Sequence, residues 1–369
     1  VGKSAWIHAH LPNVPLLDLL RTDDYADYAL RPALLRERYE AWCMRGGRPD
    51  LVVIDEIQKI PALLDEVHWL IENRSARFLL TGSSARKLKR GHANMLGGRA
   101  WRRELCPLSL RELFDAFGAD QVELARVASS GLMPSHYLSS DPREDLRAYV
   151  ADYLKEEIAA EGLARNLPAF GEFLRVAALS SGELMNFENV AREVGQSTKV
   201  VRGYYSILED TLLCTRLPSW RRSQKRRLIL TDKLYLFDVG VIGQLSHRWP
   251  VSGTPEFGKI VEHIMLNELL CYRAYRAPDL RLYYWRTSTG LEVDFILDDR
   301  AVAIEVKASS RVHETDLKGL TALHEDGPVG KRLLVCGEKH ERVLHDRSGA
   351  VHVLPWRQFV DDLWRGLVI

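Results

Sequence analysis

Two groups of residues in this chain have the types and spacing to handle phosphates and metal ions. The first opens the sequence. Gly2-Lys3-Ser4 is the closing half of the loop G-x-x-x-x-G-K-[ST], whose backbone N–H groups cradle phosphates while the lysine reaches the outer ones and the hydroxyl ligates magnesium. Its counterpart is Leu51-Val52-Val53-Ile54-Asp55-Glu56, four apolar residues followed by two carboxylates. Such a run reads as a buried parallel strand, and ligands of open α/β sheets bind beyond the carboxyl ends of the strands. On this reading Lys3 neutralises charge on the transferred phosphoryl group, Ser4 and Asp55 hold magnesium, and Glu56 polarises the attacking water. Phosphoryl transfer needs mainly positioning and electrostatics, so the set is sufficient. A buried strand ending in a solvated acidic turn is the plainer alternative.

The second group lies far downstream. Leu291 to Leu297 reads as a strand, Asp298-Asp299-Arg300 as a turn, and Ala301 to Lys307 as a returning strand. Residues two apart on a strand share a face, so Glu305 and Lys307 project together and the hairpin brings Asp294 near them. Asp followed by Glu-x-Lys across a hairpin is similar to the PD-(D/E)xK nucleases. That resemblance implies that Asp294 and Glu305 bind a divalent metal, magnesium or manganese, and that Lys307 orients water and stabilises developing charge. It also implies a glutamate from the preceding helix. Phe257, Ile260, Val261, Ile264 and Leu266 mark such a helix, and Glu262 sits in it. A salt-bridged acidic cluster that holds the fold, or a domain kept for binding, is the alternative. Trp285 precedes the hairpin and would either line a nucleic-acid groove or belong to the core.

The elements that must position these groups follow from the patterning. At 369 residues, with 46% hydrophobic content, two to four domains are expected. The 51 basic and 50 acidic residues nearly cancel, so only local clusters can argue for nucleic acid. Cys43, Cys106, Cys214, Cys271 and Cys336 are scattered without a C-x-x-C pair, which fits a reducing cytoplasm and no zinc site. No apolar run approaches the roughly 18 residues of a membrane helix, so no membrane is expected. The chain opens on Val1 with no initiator Met, and the first half of the phosphate loop is expected upstream of it. Asp50 to Ile54, a helix over Ala62 to Asn73, and a strand at Phe78-Leu79-Leu80 form a β–α–β order that implies a parallel sheet.

Farther along, Leu184, Phe187, Val190, Ala191 and Val194 share one helical face, Gly195 breaks the helix, and Ser197 caps a second one through Val200, Val201, Tyr204, Ile207 and Leu208. Helix, short glycine turn, helix is the helix-turn-helix signature. Lys199 and Arg202 lie where a recognition helix meets DNA. A strand over Leu212 to Leu217 and another over Leu228 to Leu230 would form a wing. Its tip, Arg221, Arg222, Lys225, Arg226 and Arg227, places five positive charges in seven residues, enough for several phosphate contacts. A protein-binding winged helix with a solvated basic loop is the alternative.

The blocks VGKS, LVVIDEIQKIP, FLLTGSSARKL and LGGRAWRREL-PLSLREL, in that order, resemble a prokaryotic AAA-superfamily ATPase family in which a domain of unknown function follows the ATPase. The segment Lys233-Leu234-Tyr235-Leu236-Phe237-Asp238-Val239-Gly240 resembles that second domain, with no role evident for Asp238. The resemblance implies ATP and Mg2+ as cofactors. It also implies a polar residue after the third strand that senses the γ-phosphate, Ser83 or else Thr81 or Ser84, and at Arg99 either an arginine finger or a structural salt bridge. The expected fold class is α/β: a P-loop AAA-type parallel-sheet domain over 1–118, a helical lid or connector over 119–170, a winged helix over 171–250 and a restriction-endonuclease-like α/β domain over 251–369. The expected function is an ATPase acting on DNA, with a metal-dependent nuclease site. The alternative is a nucleotide-controlled switch or scaffold that binds partners without cleavage. DNA and a homo-oligomer are the expected partners.

Overall fold

The computed structural model describes residues 2–82, 99–153, 166–222 and 226–369. The chain divides into two compact units, one of Val1–Leu105 with Asp210–Leu212, the other of Cys106–Glu209 with Leu213–Ile369. Among the described residues no helix is long and apolar enough to cross a membrane.

In the first unit, helix α1 (Lys3–His10) precedes β1 (Leu16–Asp18), α2 (Thr22–Leu30), α3 (Leu34–Gly46), β2 (Val52–Asp55), α4 (Leu63–Arg74) and β3 (Phe78–Leu80). The strands form a parallel sheet in the order β1-β2-β3, with Leu17 opposite Ile54 and Ile54 opposite Leu80. All four residues of β2 are buried, and Val52, Val53 and Ile54 accordingly form an unbroken apolar run rather than an alternating one. Helix α4 buries Leu63, Leu64, Val67 and Leu70 against the core that holds Val52 and Ile54. The parallel sheet expected from the sequence is therefore present, with β2 ending on Asp55.

The second unit begins with helices. A capping box joins Ser109 and Glu112 at the start of α5 (Leu110–Phe117). Glu268, fully buried, caps the same end, accepting from Leu110 N at 2.6 Å and Arg111 N at 3.2 Å. Burial pushes its carboxyl up to about 7, and the helix N-terminus supplies partners for it. Helices α6 (Leu124–Ser130), α7 (Pro142–Ala148) and α8 (Leu167–Leu179) follow.

Next come α9 (Phe187–Val194) and α10 (Thr198–Asp210), with Gly195 left-handed at φ 64° between them. Ser197 Oγ accepts from Val200 N at 3.3 Å. The buried face of α10 carries Val201, Tyr204, Tyr205, Ile207 and Leu208, whereas Val200 is exposed. Leu184, expected on the first helix, instead forms a bridge to Lys233. Helix, glycine and helix follow in the expected order, but the expected strand pairing of the wing is not formed. Strand β4 (Cys214–Leu217) pairs antiparallel with β5 (Lys233–Leu236), not with Leu228 to Leu230. Only Leu228 of that segment bridges, and it does so to Thr287.

After α11 (Val239–Ser246) and the 21-residue α12 (Pro255–Tyr275), a mixed sheet is built from β6 (Leu282–Arg286), β7 (Glu292–Leu297), β8 (Val302–Val306), β9 (Lys331–Cys336), β10 (Arg342–Asp346) and β11 (Gly349–Pro355), with α13 (Lys318–Asp326) and α14 (Trp356–Trp364). The order is β10-β11-β9-β8-β7-β6. Strands β7 and β8 form the expected hairpin, Phe295 opposite Ile304. The turn takes Asp298 and Arg300 through left-handed backbone at φ 51° and 65°. Trp285 is fully buried in the core beneath this sheet, the core alternative for that residue.

Candidate functional site

In the first unit Ser4, Asp55, Glu56 and Thr81 are joined by hydrogen bonds. Gly2 takes φ 88°, a left-handed conformation suited to glycine, and caps α1 so that Lys3 and Ser4 occupy its first turn. Ser4 Oγ donates to Asp55 Oδ2 at 2.5 Å, joining residues 51 positions apart. Asp55 is 3% exposed and its other oxygen accepts from the Thr81 hydroxyl, which in turn accepts from Glu56 N at 3.3 Å. Glu56 sits at φ 60°, an uncommon conformation for a residue with a side chain. The backbone reverses there as β2 ends, and Gln58 Nε2 donates to the Glu56 carboxylate. A hydroxyl and a carboxylate side by side at a helix N-terminus fit a magnesium-bound phosphate group. Ser83 lies outside the described residues. After β3, the hydroxyl beside Asp55 is that of Thr81. Arg99 forms an ion pair with Glu72, the salt-bridge alternative for that position.

In the second unit Asp294, Glu305 and Lys307 lie on the hairpin and have further partners. Lys307 Nζ lies 2.5 Å from Glu305 Oε1. Asp294 Oδ2 accepts from Val306 N at 2.8 Å across the hairpin. Glu262 reaches the same cluster from α12. Burial, followed by the charges of Glu305 and Glu262, holds the Asp294 carboxyl well above its ordinary range, and burial pushes Glu305 up to about 7, Lys307 offsetting part of the shift.

Strand β5 adds two residues that sequence reasoning had left without a role. Lys233 Nζ lies 3.0 Å from Glu262 Oε1 and 2.7 Å from Glu292 Oε1. The Tyr235 hydroxyl donates to Glu262 Oε1 at 2.5 Å. Arg286 Nη1 pairs with the other Glu292 oxygen at 3.2 Å. Burial alone would lower Lys233, but Glu262, Tyr235, Glu292 and Asp294 together outweigh it and raise it. The signal was present in the sequence as Lys233-x-Tyr235, same-face residues on a strand, but nothing there names the acids they meet.

Oxygen donors suit a hard cation, and Glu305 Oε2 is buried with no hydrogen-bond partner. Yet among the described residues no three His, Cys, Asp or Glu side chains converge as a metal-holding group, and Glu262 is taken up by Lys233 and Tyr235. As placed, this set does not close around a metal ion.

The expected DNA-facing residues divide. Lys199 and Arg202 are exposed on the second helix of the pair, Arg202 stacking over the Phe187 ring at 4.2 Å. Arg221 and Arg227 are exposed. Arg222 pairs with Asp299 at 3.4 Å and Arg226 with Glu325 at 2.8 Å, so part of the basic run is held by acids of the same unit. Lys225 lies outside the described residues. Asp238, for which the sequence suggested nothing, caps α11 by accepting from Val241 N at 3.0 Å and ties it to Leu132 N at 2.6 Å.

A family model for an AAA domain matches residues 1–114. Models for two domains of unknown function match residues 121–250 (DUF8612) and 257–359 (DUF4143). An uncharacterized protein of Mycobacterium bovis and one of Mycobacterium tuberculosis are each 29% identical over 276 residues, covering 72% of this chain and 60% of theirs. An uncharacterized protein of Haemophilus influenzae is 23% identical over 321 residues, covering 82% of this chain and 76% of its own. The chain thus spans 60% of the length of the mycobacterial relatives it matches. No solved structure matches it. Residues 1–114, where β2 ends on Asp55 beside Ser4, are thus similar to an AAA domain, and residues 257–359 to a domain of unknown function.

Proposed function

We propose that the protein binds and hydrolyses ATP with Mg2+ at the first unit and engages DNA through the second. The observation that carries the first half is the Ser4–Asp55 hydrogen bond at 2.5 Å. It joins the two groups that a magnesium-bound triphosphate needs, at the end of a buried parallel strand. Lys3 would neutralise phosphate charge, Ser4 and Asp55 would hold the metal, and Glu56 would orient the attacking water, with Thr81 fixing the Asp55 carboxylate. Mg2+ held there would neutralise charge on the phosphates. The DNA half is supported by Lys199, Arg202, Arg221 and Arg227 on exposed positions. The test is Mg-dependent ATP hydrolysis with and without duplex DNA. Glu56→Gln should keep ATP binding and lose most turnover; full turnover in that variant would remove Glu56 from its role.

For the acid cluster a second reading competes with metal-dependent cleavage. In it the nuclease-like strands serve a nucleotide-controlled switch or scaffold. Lys233 favours this reading, since its ammonium already lies between Glu262 and Glu292. Cutting of plasmid or single-stranded DNA by the purified protein with Mg2+ or Mn2+, lost in Lys307→Ala, would decide for the nuclease. Intact DNA under both ions would decide for the scaffold.

A further inference from the structure

The positive charge in the acid cluster of the second unit comes from more than its own hairpin. Four carboxylates, Glu262, Glu292, Asp294 and Glu305, meet three cations. Lys233 bridges Glu262 and Glu292, Arg286 takes the second oxygen of Glu292, and Lys307 takes Glu305. The Lys233 side chain is 5% exposed. A buried lysine is costly unless paired, and this one has two carboxylates at ion-pair distance and the Tyr284 ring 5.4 Å from its Nζ. The carboxylates and Arg286 lie within residues 257–359, but Lys233 and Tyr235 come from the segment over 121–250 that precedes them.

That segment anchors the backbone at Lys233. Strand β5 pairs along its length with β4, Leu217 opposite Lys233 and Cys214 opposite Leu236. Gly182 N donates to Leu234 O at 2.7 Å, and Leu236 N donates to Ser181 Oγ at 3.0 Å. A side chain anchored in this way is part of the cluster's construction. One buried oxygen in the cluster, Glu305 Oε2, has no partner, so the cluster retains an acceptor facing no donor. Glu262, the third oxygen source that a divalent ion would need, gives its Oε1 to Lys233 and Tyr235.

We propose that Lys233 is the built-in cation of this cluster, competing with a divalent metal ion for Glu262, so that the site admits a metal only when the Lys233 ammonium is displaced. An ammonium 3.0 Å from a carboxylate oxygen stands where a hard cation would be coordinated, and two cations cannot share that oxygen without strong repulsion. The inference rests on reading Glu262, Asp294 and Glu305 as a potential metal-holding set, and it assigns that set its regulation.

The experiment is calorimetric titration of the full chain with Mn2+, comparing wild type, Lys233→Met, Lys233→Arg, and Lys233→Met combined with Glu305→Gln. Lys233→Met should bind Mn2+ at least about ten-fold tighter than wild type, because removing the competitor frees Glu262. Lys233→Arg, which keeps the charge, should stay at the wild-type level, and adding Glu305→Gln should cancel the gain. Binding no tighter in Lys233→Met, or a gain that survives Glu305→Gln, overturns the proposal. If Lys233→Met is unfolded as purified, recovery of its thermal transition on adding Mn2+ supports the proposal, and failure to recover at saturating Mn2+ overturns it. DNA cleavage measured alongside keeps the two questions apart. A Lys233→Met protein that gains Mn2+ but cuts nothing removes the nuclease reading and leaves the lysine's role standing. A wild type that cuts and binds Mn2+ as tightly as the variant does the reverse.

Discussion

Ser4 and Asp55 are 51 residues apart in sequence and 2.5 Å apart in space, the hydroxyl donating to the carboxylate. The contact connects the first turn of α1 to the end of β2, and it depends on Asp55 being held from its other side by Thr81. This network makes the first prediction. Ser4→Ala and Asp55→Ala should each lower Mg-ATP turnover by about two orders of magnitude, as expected when metal placement is lost. Thr81→Val should lower it less, since it only loosens Asp55. Steady-state hydrolysis rates across the three variants check the ranking; Thr81→Val falling below Asp55→Ala would refute it.

The basic run makes the second. Arg226 is paired with Glu325, whereas Lys199 and Arg202 are exposed on α10. If α10 faces the DNA backbone, Lys199→Ala and Arg202→Ala should each reduce the slope of log K against log salt by about 0.9 on duplex DNA. Arg226→Ala should change the slope little and lower thermal stability instead. Fluorescence anisotropy at several salt concentrations separates the two behaviours, and an unchanged slope in the α10 double variant would place any DNA contact elsewhere.

Gly131 provides a stability test. It sits at φ 73°, and a Cβ there would collide with the Asp238 carboxylate that caps α11. Gly131→Ala should therefore cost about 2–4 kcal/mol, combining a strained left-handed alanine with a displaced cap. Chemical denaturation followed by circular dichroism measures it; a cost under about 1 kcal/mol would mean that the cap yields without loss.

Glu268 gives the pH dependence. Its folded-state carboxyl, raised by burial to about 7 from an ordinary 4.5, holds its proton where the unfolded chain has lost it. Stability from this group is therefore intact below about pH 4.5 and is lost as pH rises to about 7. His263, pulled down by burial to about 4, acts in the opposite sense, its contribution being lost as pH falls from 6.5. The comparison that isolates Glu268 is wild type against Glu268→Gln. The stability advantage of wild type should shrink by up to about 3 kcal/mol between pH 4.5 and 7. A difference that stays constant across that range would show that Glu268 does not titrate there.

The sequence alone determined the local chemistry of this protein. Leu51 to Ile54 reads as a buried strand because four apolar residues in a row, closed by two carboxylates, suit a sheet covered on both faces. Gly2-Lys3-Ser4 carried the residue types that the end of a phosphate loop requires. The Asp294–Glu305–Lys307 hairpin followed from the period of two and a turn of polar residues. Helix, glycine, helix over 187–210 was equally local, since Gly195 in left-handed backbone ends one helix and Ser197 caps the next.

What only the tertiary structure decided was pairing across long separations. The partner of β4 is Lys233–Leu236 rather than the nearer Leu228 segment, because strand choice depends on which side chains find a core, and Leu234, Tyr235 and Leu236 all do. Arg222 and Arg226 look like a DNA-facing tip in sequence, but Asp299 and Glu325 lie next to them in the folded unit. Lys233 looks like an ordinary strand lysine until the fold brings α12 and β7 to it. Charge is read from sequence one residue at a time, but its meaning depends on the partner 29 residues on at Glu262, and burial makes that pairing obligatory.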